Sequence, residues 1–213
     1  PALAPFMGLN VIVCLTTPVL LRLLSRHGLK ATFFVTGNRA SANPDLMREI
    51  LRQGHTVGNH SYSHDLLFAL RSTKRLRKEI ESTEEILDHF GIRCLAFRPP
   101  VGITGPRLRE VLRKKELRVI GFSCRAFDGG NRWVSRISKK ILKRVRPDDI
   151  VLLHDVRPKD ARLLPLWLKE VDSLLLGLEA RGLAVLPLSE IIGRPIMVKE
   201  IGNRGDDVGK RTL

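Results

Sequence analysis

Apolar and polar positions along this chain follow two rhythms. Short runs rich in β-branched and aromatic residues fall at 9–15, 31–35, 55–59, 95–98, 117–123, 150–154 and 183–186. Bounded by Gly, Pro or polar residues, such runs predict strands. Between them, apolar residues recur at helical spacing over 18–27, 43–54, 72–90, 105–115, 134–145 and 163–181, with a shorter stretch at 188–192. Pro18 opens the first of these helices, and Gly28, Gly54 and Gly91 close three of them, as expected at helix ends. Strand and helix thus alternate about seven times with short connections. That rhythm predicts an α/β fold of parallel strands with helices outside, either a barrel or a doubly wound sheet. No Gly-rich phosphate loop follows the first strand, which argues against a nucleotide-binding sheet. The pattern divides the chain into an N-terminal extension (1–8), one domain (9–192) and a polar, Gly-containing loose tail (193–213),.

Composition changes this picture little. The chain has 213 residues, 43% of them hydrophobic and 28% charged, enough for a self-sufficient core without disulfide staples. Cys14, Cys94 and Cys124 are odd in number and far apart. Cys14 and Cys124 read as buried small hydrophobes, with one disulfide left open. The apolar runs at 150–153 and 174–178 fall well short of the ~18–20 residues of a membrane span, so no transmembrane segment is expected. Residues 1–7 are too short for a signal peptide and lack a basic leader,.

Charge changes it more. Thirty-seven Lys and Arg against 22 Asp and Glu give a net charge of +15, which suggests an anionic neighbour: nucleic acid, a membrane or an acidic cell-wall polymer. Aromatic residues make up only 5% of the chain, so the stacking platform of a single-strand binder is missing and nucleic acid is disfavoured. Most of the bases sit in helix-like blocks, which read as solvated faces.

The unusual residues gather where predicted strands end: His60 and His64, Arg98, Asp128, and His154 with Asp155. In a (β/α) barrel the carboxyl ends of the strands converge on one face and build the active site there. In His60-Ser61-Tyr62-Ser63-His64, two imidazoles four residues apart lie on one face of a helical turn and are near enough to hold one metal ion. Two unrelated histidines are an equally good reading of that spacing alone. His154 ends the run Ile-Val-Leu-Leu; an imidazole at a barrel mouth suits proton transfer, while a hydrogen-bonded core histidine is the simpler alternative. Arg98, before Pro99-Pro100, can pair with a carboxylate such as Asp128, functionally or as an ordinary ion pair.

Four stretches together carry a resemblance. They are Thr-Pro-Val-Leu-Leu-Arg-Leu-Leu-Ser-Arg-His-Gly-Leu-Lys-Ala-Thr-Phe-Phe-Val-Thr-Gly at 17–37, Gly-His-Thr-Val-Gly-Asn-His-Ser-Tyr-Ser-His at 54–64, Phe-Arg-Pro-Pro-Val-Gly at 97–102 and Ile-Val-Leu-Leu-His-Asp at 150–155. In this order they resemble the polysaccharide deacetylases (the NodB-homology domain, carbohydrate esterase family four) over roughly residues 9–192. The resemblance implies a distorted (β/α) barrel of about seven parallel strands. It implies removal of N-acetyl or O-acetyl groups from chitin-type, peptidoglycan or xylan glycans. It also implies a divalent metal, zinc above all and in some members cobalt or nickel. By the same resemblance His60 and His64 are metal ligands, and His154 is the general acid. Arg98 and Asp128 position and tune the base. Pro100, Leu152 and Tyr62 contact substrate, with Leu152 as a wall of the acetyl-methyl pocket. An acetylated glycan partner and an extracytoplasmic site of action follow, and the basic surface fits an anionic wall polymer.

One motif breaks the pattern. The family places Thr-Phe-Asp-Asp-Gly-Pro after its first strand, the first Asp serving as base and the second as the metal's carboxylate ligand. Here Thr16 runs directly into Thr17-Pro18, and no acidic residue occurs in the first 44 positions. Either the stretch is missing from this sequence alone, or a true deletion leaves the site without base and third ligand, weakening the metal. Asp65 and Asp155 are the nearer substitutes, and Asp206-Asp207 a remote one. Val101 and Phe122 stand where the family usually has an aromatic and a Trp. The alternative to a deacetylase is a relative that binds glycan or cell wall without the chemistry.

Overall fold

The computed structural model of the chain describes residues 6–12, 16–126, 133–155 and 160–199. Elements alternate much as the pattern predicts. They run β1 (Phe6–Ile12), α1 (Thr17–Arg26), β2 (Thr32–Val35), α2 (Gly37–Ala42), α3 (Pro44–Arg52), β3 (Thr56–Asn59) and α4 (Thr73–Asp88). Then come β4 (Ile92–Cys94), β5 (Ala96–Phe97), α5 (Pro106–Lys114), β6 (Arg118–Val119), β7 (Cys124–Arg125), α6 (Ile137–Leu142), β8 (Ile150–His154), α7 (Leu164–Glu179), β9 (Ala184–Leu186), α8 (Leu188–Ile191) and β10 (Met197–Lys199).

The main sheet has eight strands in the order β6-β5-β3-β2-β1-β8-β7, with β9 also on β1. Every pairing in it is parallel. Its two ends are consecutive in sequence. The Ile120 amide donates to the Phe97 carbonyl beside β5, and the Ser123 amide donates to the Ile150 carbonyl on β8. Three residue steps reach at most about 11 Å, so the sheet must curl until its edges nearly meet. The expected distorted barrel is therefore a rolled parallel sheet with a seam between β6 and β7. Of the single strand expected at 117–123 only 118–119 is strand, as β6; the chain then crosses the seam and enters the sheet again as β7 at 124–125.

Two boundary expectations are corrected. Residues 6–8 are not an appendage but pair with β9. Residues 197–199 of the expected loose tail form β10, antiparallel to β4, beside the buried Ile196. Cys94 and Cys124 are free and buried, and Cys14 lies outside the described residues.

The period of two along each strand sorts side chains between layers. Leu9, Phe33, Val35, Val57, Val151 and Leu153 face outward and pack with the buried leucines of α1 and α7. Phe34, Ala96 and Ile120 face inward and pack with Leu188, Ile196 and the half-buried Ile150. The interior is tight at one point. A Cβ on Gly58 would lie 2.5 Å from the Phe34 ring, which also carries the Arg98 guanidinium 4.1 Å from its centroid. Gly58→Ala therefore drives Phe34 into Arg98. A loss of about 1–3 kcal/mol is expected, read by thermal melting and partly recovered by a companion Phe34→Leu change. Full stability in the single variant would refute the packing argument.

His55, just before β3, is buried. Its Nδ1 accepts the Ala31 amide at 3.1 Å, and its ring stands edge-on to Phe33 at 5.2 Å. Burial, with the Lys30 charge adding to it, lowers its pKa to about 4. An unfolded imidazole takes its proton near pH ~6.5. Between these values the unfolded chain binds a proton that the native chain does not, so stability falls as pH drops through that window. The melting midpoint should decline from about pH 6.5 to pH 4 less steeply in His55→Asn, whose amide oxygen still accepts from Ala31. Parallel declines in both proteins would rule His55 out as a source of acid lability.

Candidate active site at the barrel mouth

The inward parity that places Phe34, Gly58 and Ala96 inside the barrel continues two residues further along each strand. Thr36, His60 and Arg98 thus sit one step beyond the register row Val35–Asn59–Phe97. The ladder carries on there: the His60 amide donates to Val35, and the Arg98 amide donates to Asn59. All three side chains are buried, and each holds an atom with no partner among the described residues: Thr36 Oγ1, His60 Nε2 and Arg98 Nη1. Buried polar atoms nearly always find partners. Three unmet ones on one row of adjacent strand ends mark a place built for something polar.

His60 Nδ1 lies 2.7 Å from the Arg98 carbonyl. A carbonyl only accepts, so Nδ1 carries the hydrogen and Nε2 presents its lone pair. Burial holds the His60 pKa down to about 3, with the charges of His64, Arg98 and His154 acting in the same direction. The ring is therefore neutral at any ordinary pH. The His64 ring stands edge-on to it at 4.9 Å between centroids. Burial also lowers the His64 pKa, followed by the charges of Arg39 and His154. His154, the last residue of β8, is thus within electrostatic reach of both imidazoles.

The two imidazoles do not meet on a helical turn. Residues 60–64 form an irregular loop in which Ser61 and His64 have φ of 66° and 58°, a conformation costly for residues other than Gly. The loop is held from outside. Glu79, on the buried face of α4, accepts the Tyr62 and Ser63 amides at 3.1 and 2.8 Å and the Ser63 hydroxyl at 3.0 Å, and pairs with Arg75 at 2.9 Å. Inside the loop, Asn59 accepts the Ser61 amide and donates to the Ile80 carbonyl. Sequence reasoning passed over Glu79, although a signal existed: it interrupts the apolar stripe of Leu76, Ile80 and Leu87. Thr36 offered no comparable signal.

Arg98 is almost fully buried. Its Nε and Nη2 donate to the carbonyls of Ile120 and Gly121 at 3.2 and 2.6 Å. Burial pulls its pKa down to about 9, so it remains a cation at neutral pH, with Nη1 meeting no partner among the described residues. Asp128, its expected partner, lies outside the described residues. Leu152 faces inward on β8 and is buried. Pro100 is buried at the start of the 3₁₀ turn Pro100–Gly102. Tyr62 lies beside Gly37 and lines a groove of about 510 Å³ with Arg75, Lys78, Ser82 and Ile86 on the α4 side.

Neither nearby carboxylate faces the imidazoles as a ligand. Asp65 caps the Leu67 amide and pairs with Arg71. Asp155 is fully buried and accepts the hydroxyls of Thr16 and Thr17, one on each carboxylate oxygen. It supplies the negative charge favoured at a helix N-terminus, because the first turn of α1 contains no acidic residue. Asp206-Asp207 lies outside the described residues. Among the described residues no group of three metal-binding side chains comes together. The free His60 Nε2 beside His64 suits a metal, but the pair is only part of a coordination shell, which at zinc sites takes at least three protein ligands. This donor set does not complete a metal site.

A family model described as polysaccharide deacetylase matches residues 14–120. The peptidoglycan-N-acetylglucosamine deacetylase PgdA of Listeria monocytogenes is 31% identical over 183 residues, covering 85% of this chain but 37% of its own length. A chitooligosaccharide deacetylase of Azorhizobium caulinodans is 30% identical, over 81% of this chain and 86% of that one. A family 4 carbohydrate esterase from Streptomyces lividans, solved in complex with acetate, superimposes with a TM-score of 0.74 at 28% identity, covering 85% of this chain and 91% of that one.

Proposed function

Because this chain belongs to the polysaccharide deacetylase family, we propose that its barrel mouth receives the acetamido group of an N-acetylated glycan and serves its hydrolysis to free amine and acetate. The observation that carries this reading is the row of unmet buried polar atoms on Thr36, His60 and Arg98, with His154 within reach of the imidazoles. That is the polar lining an amide needs in place of water.

In this reading His154 holds the proton delivered to the departing nitrogen, without which an amine is a poor leaving group. Arg98 offers Nη1 to a carboxylate or to the developing oxyanion. Leu152 bounds the acetyl methyl. His60 and His64 are nitrogen donors of the kind that suits zinc, cobalt or nickel. Members of the family are metal-dependent, and the missing third donor belongs to the acidic stretch absent between Thr16 and Thr17. The sequence as it stands therefore keeps acid, cation and imidazoles but lacks base and ligand carboxylate. That lack favours a second reading, glycan binding without turnover. The substrate class is the acetylated aminosugar polymer named for the Listeria and Azorhizobium relatives, peptidoglycan or chitooligosaccharide.

Acetate release from N-acetylated chitooligosaccharide and from peptidoglycan fragments, with and without added zinc, tests both. Turnover by this chain or by a version carrying the acidic stretch supports the deacetylase. Binding that stays unproductive in both versions leaves the binding module in place, and no binding at all removes both readings.

A further inference from the structure

Immediately after His64 the chain turns an apolar surface to solvent. Leu66, Leu67 and Leu70 are 65%, 55% and 69% exposed, and Ile103 is 56% exposed. These are not loose side chains on a loose loop. The Asp65 carboxylate pairs with Arg71 across the segment and caps the Leu67 amide. Phe68 is fully buried and stacks near Phe97 at 5.8 Å. The 3₁₀ turn Phe68–Leu70 is thus anchored inside while its leucines are held outside. The loop carrying Ile103 lies alongside, since a Cβ on Gly105 would sit 3.6 Å from the Ala69 carbonyl oxygen. Both loops follow strands that end at the barrel mouth, so the leucines and Ile103 form one apolar lip beside His60 and His64.

We infer that this lip docks the barrel mouth onto an anionic membrane surface, with the leucines and Ile103 entering the boundary of the acyl region. Exposed aliphatic side chains this large, fixed in place and grouped, mark an interaction site. Aliphatic tips combined with surrounding positive charge are the composition of an interfacial membrane contact. The charge is present: the chain carries +15, and Lys74 and Arg107 stand exposed on the first turns of α4 and α5, next to the two loops. A second copy of the chain is a poor occupant, because two such charges repel. A glycan fits the lip poorly, because sugar faces stack on aromatic rings, and leucine and isoleucine offer none. Docking there would hold the site against glycan lying close to a lipid surface. It requires nothing of the catalytic reading.

The test is co-sedimentation of the full chain with vesicles of phosphatidylglycerol and phosphatidylcholine in equal parts, and with phosphatidylcholine alone. The intact chain is expected to partition onto the anionic vesicles. The Leu66→Ser/Leu67→Ser/Leu70→Ser variant is expected to bind about tenfold or more weakly with an unchanged melting point. A Leu67→Trp variant should show a blue-shifted emission on the same vesicles, reporting entry of that position. No partitioning by the intact chain overturns the proposal. So does equal partitioning of the triple variant, which would make the contact one of charge alone. Dimers in sedimentation velocity that dissociate in the triple variant would assign the lip to a second copy and also overturn it.

Discussion

Inserting Phe-Asp-Asp-Gly-Pro between Thr16 and Thr17 should raise acetate release from N-acetylated chitooligosaccharide by about 10²–10⁴-fold, the usual contribution of a positioned base. The place is right for geometric reasons. β1 lies between β2 and β8, and its last residue, Ile12, is in register with His154. A loop leaving β1 therefore emerges at the mouth, between the strand end bearing Thr36 and the one bearing His154. Longer loops cost little entropy, so the fold should accept the addition. The seam it would open is closed at present by the Thr16 and Thr17 hydroxyls on Asp155. The same insertion with both aspartates replaced by asparagine separates charge from length. If neither the chain as it stands nor either insertion releases acetate while all three proteins melt normally, the missing carboxylates are not what limits this site, and the deacetylase assignment of the mouth fails. A gain confined to the aspartate version, and dependent on added zinc, would show that the two imidazoles were an incomplete ligand set.

Parity and order were readable in the sequence; long-range geometry was not. Runs such as Thr-Phe-Phe-Val and Ile-Val-Leu-Leu read as strands buried on both faces,, and the alternating side-chain direction of a strand then puts His60, Arg98 and His154 on the inner face. The loop joining His60 to His64 could not be anticipated. Its left-handed residues are a serine and a histidine rather than glycines, and they are held there by Glu79, which follows Ser63 by sixteen positions. A four-residue spacing predicts a helical turn because that is the cheapest local solution. Tertiary hydrogen bonds imposed another one that still brings the rings together. The run 117–123 misled for a related reason. Leu117, Val119, Ile120 and Phe122 suggest one strand, but the barrel seam falls within the run: β6 pairs with β5, and the next strand, β7, begins only at Cys124 and pairs with β8. Nothing in the sequence sets Leu66, Leu67 and Leu70 apart, because only the buried Phe68 and the Asp65–Arg71 pair decide that they face outward.

Replacing His154 by Gln in the loop-restored chain should lower amide hydrolysis by about 10²–10⁴-fold, and the substrate dependence of that loss identifies the role. His154 ends β8, half-buried, while its neighbour Asp155 is locked to Thr16 and Thr17. The strand end is thus fixed to the start of α1, and glutamine can occupy the same place without collapse of the mouth. An amide nitrogen must be protonated as it leaves, whereas an aryl oxygen leaves readily as the anion. If His154 supplies that proton, the variant loses nearly all activity on the acetylated glycan but little on an aryl acetate. If His154 instead holds the substrate or shapes the mouth, both substrates lose in proportion, and the loss appears in KM as much as in kcat. Equal loss on both substrates would therefore remove His154 as the acid while leaving the deacetylase reading standing, since base and ligands act before the leaving group departs. His60 makes the complementary case. Its Nδ1 hydrogen is committed to the Arg98 carbonyl and its Nε2 carries none, so His60 itself is not fitted to donate.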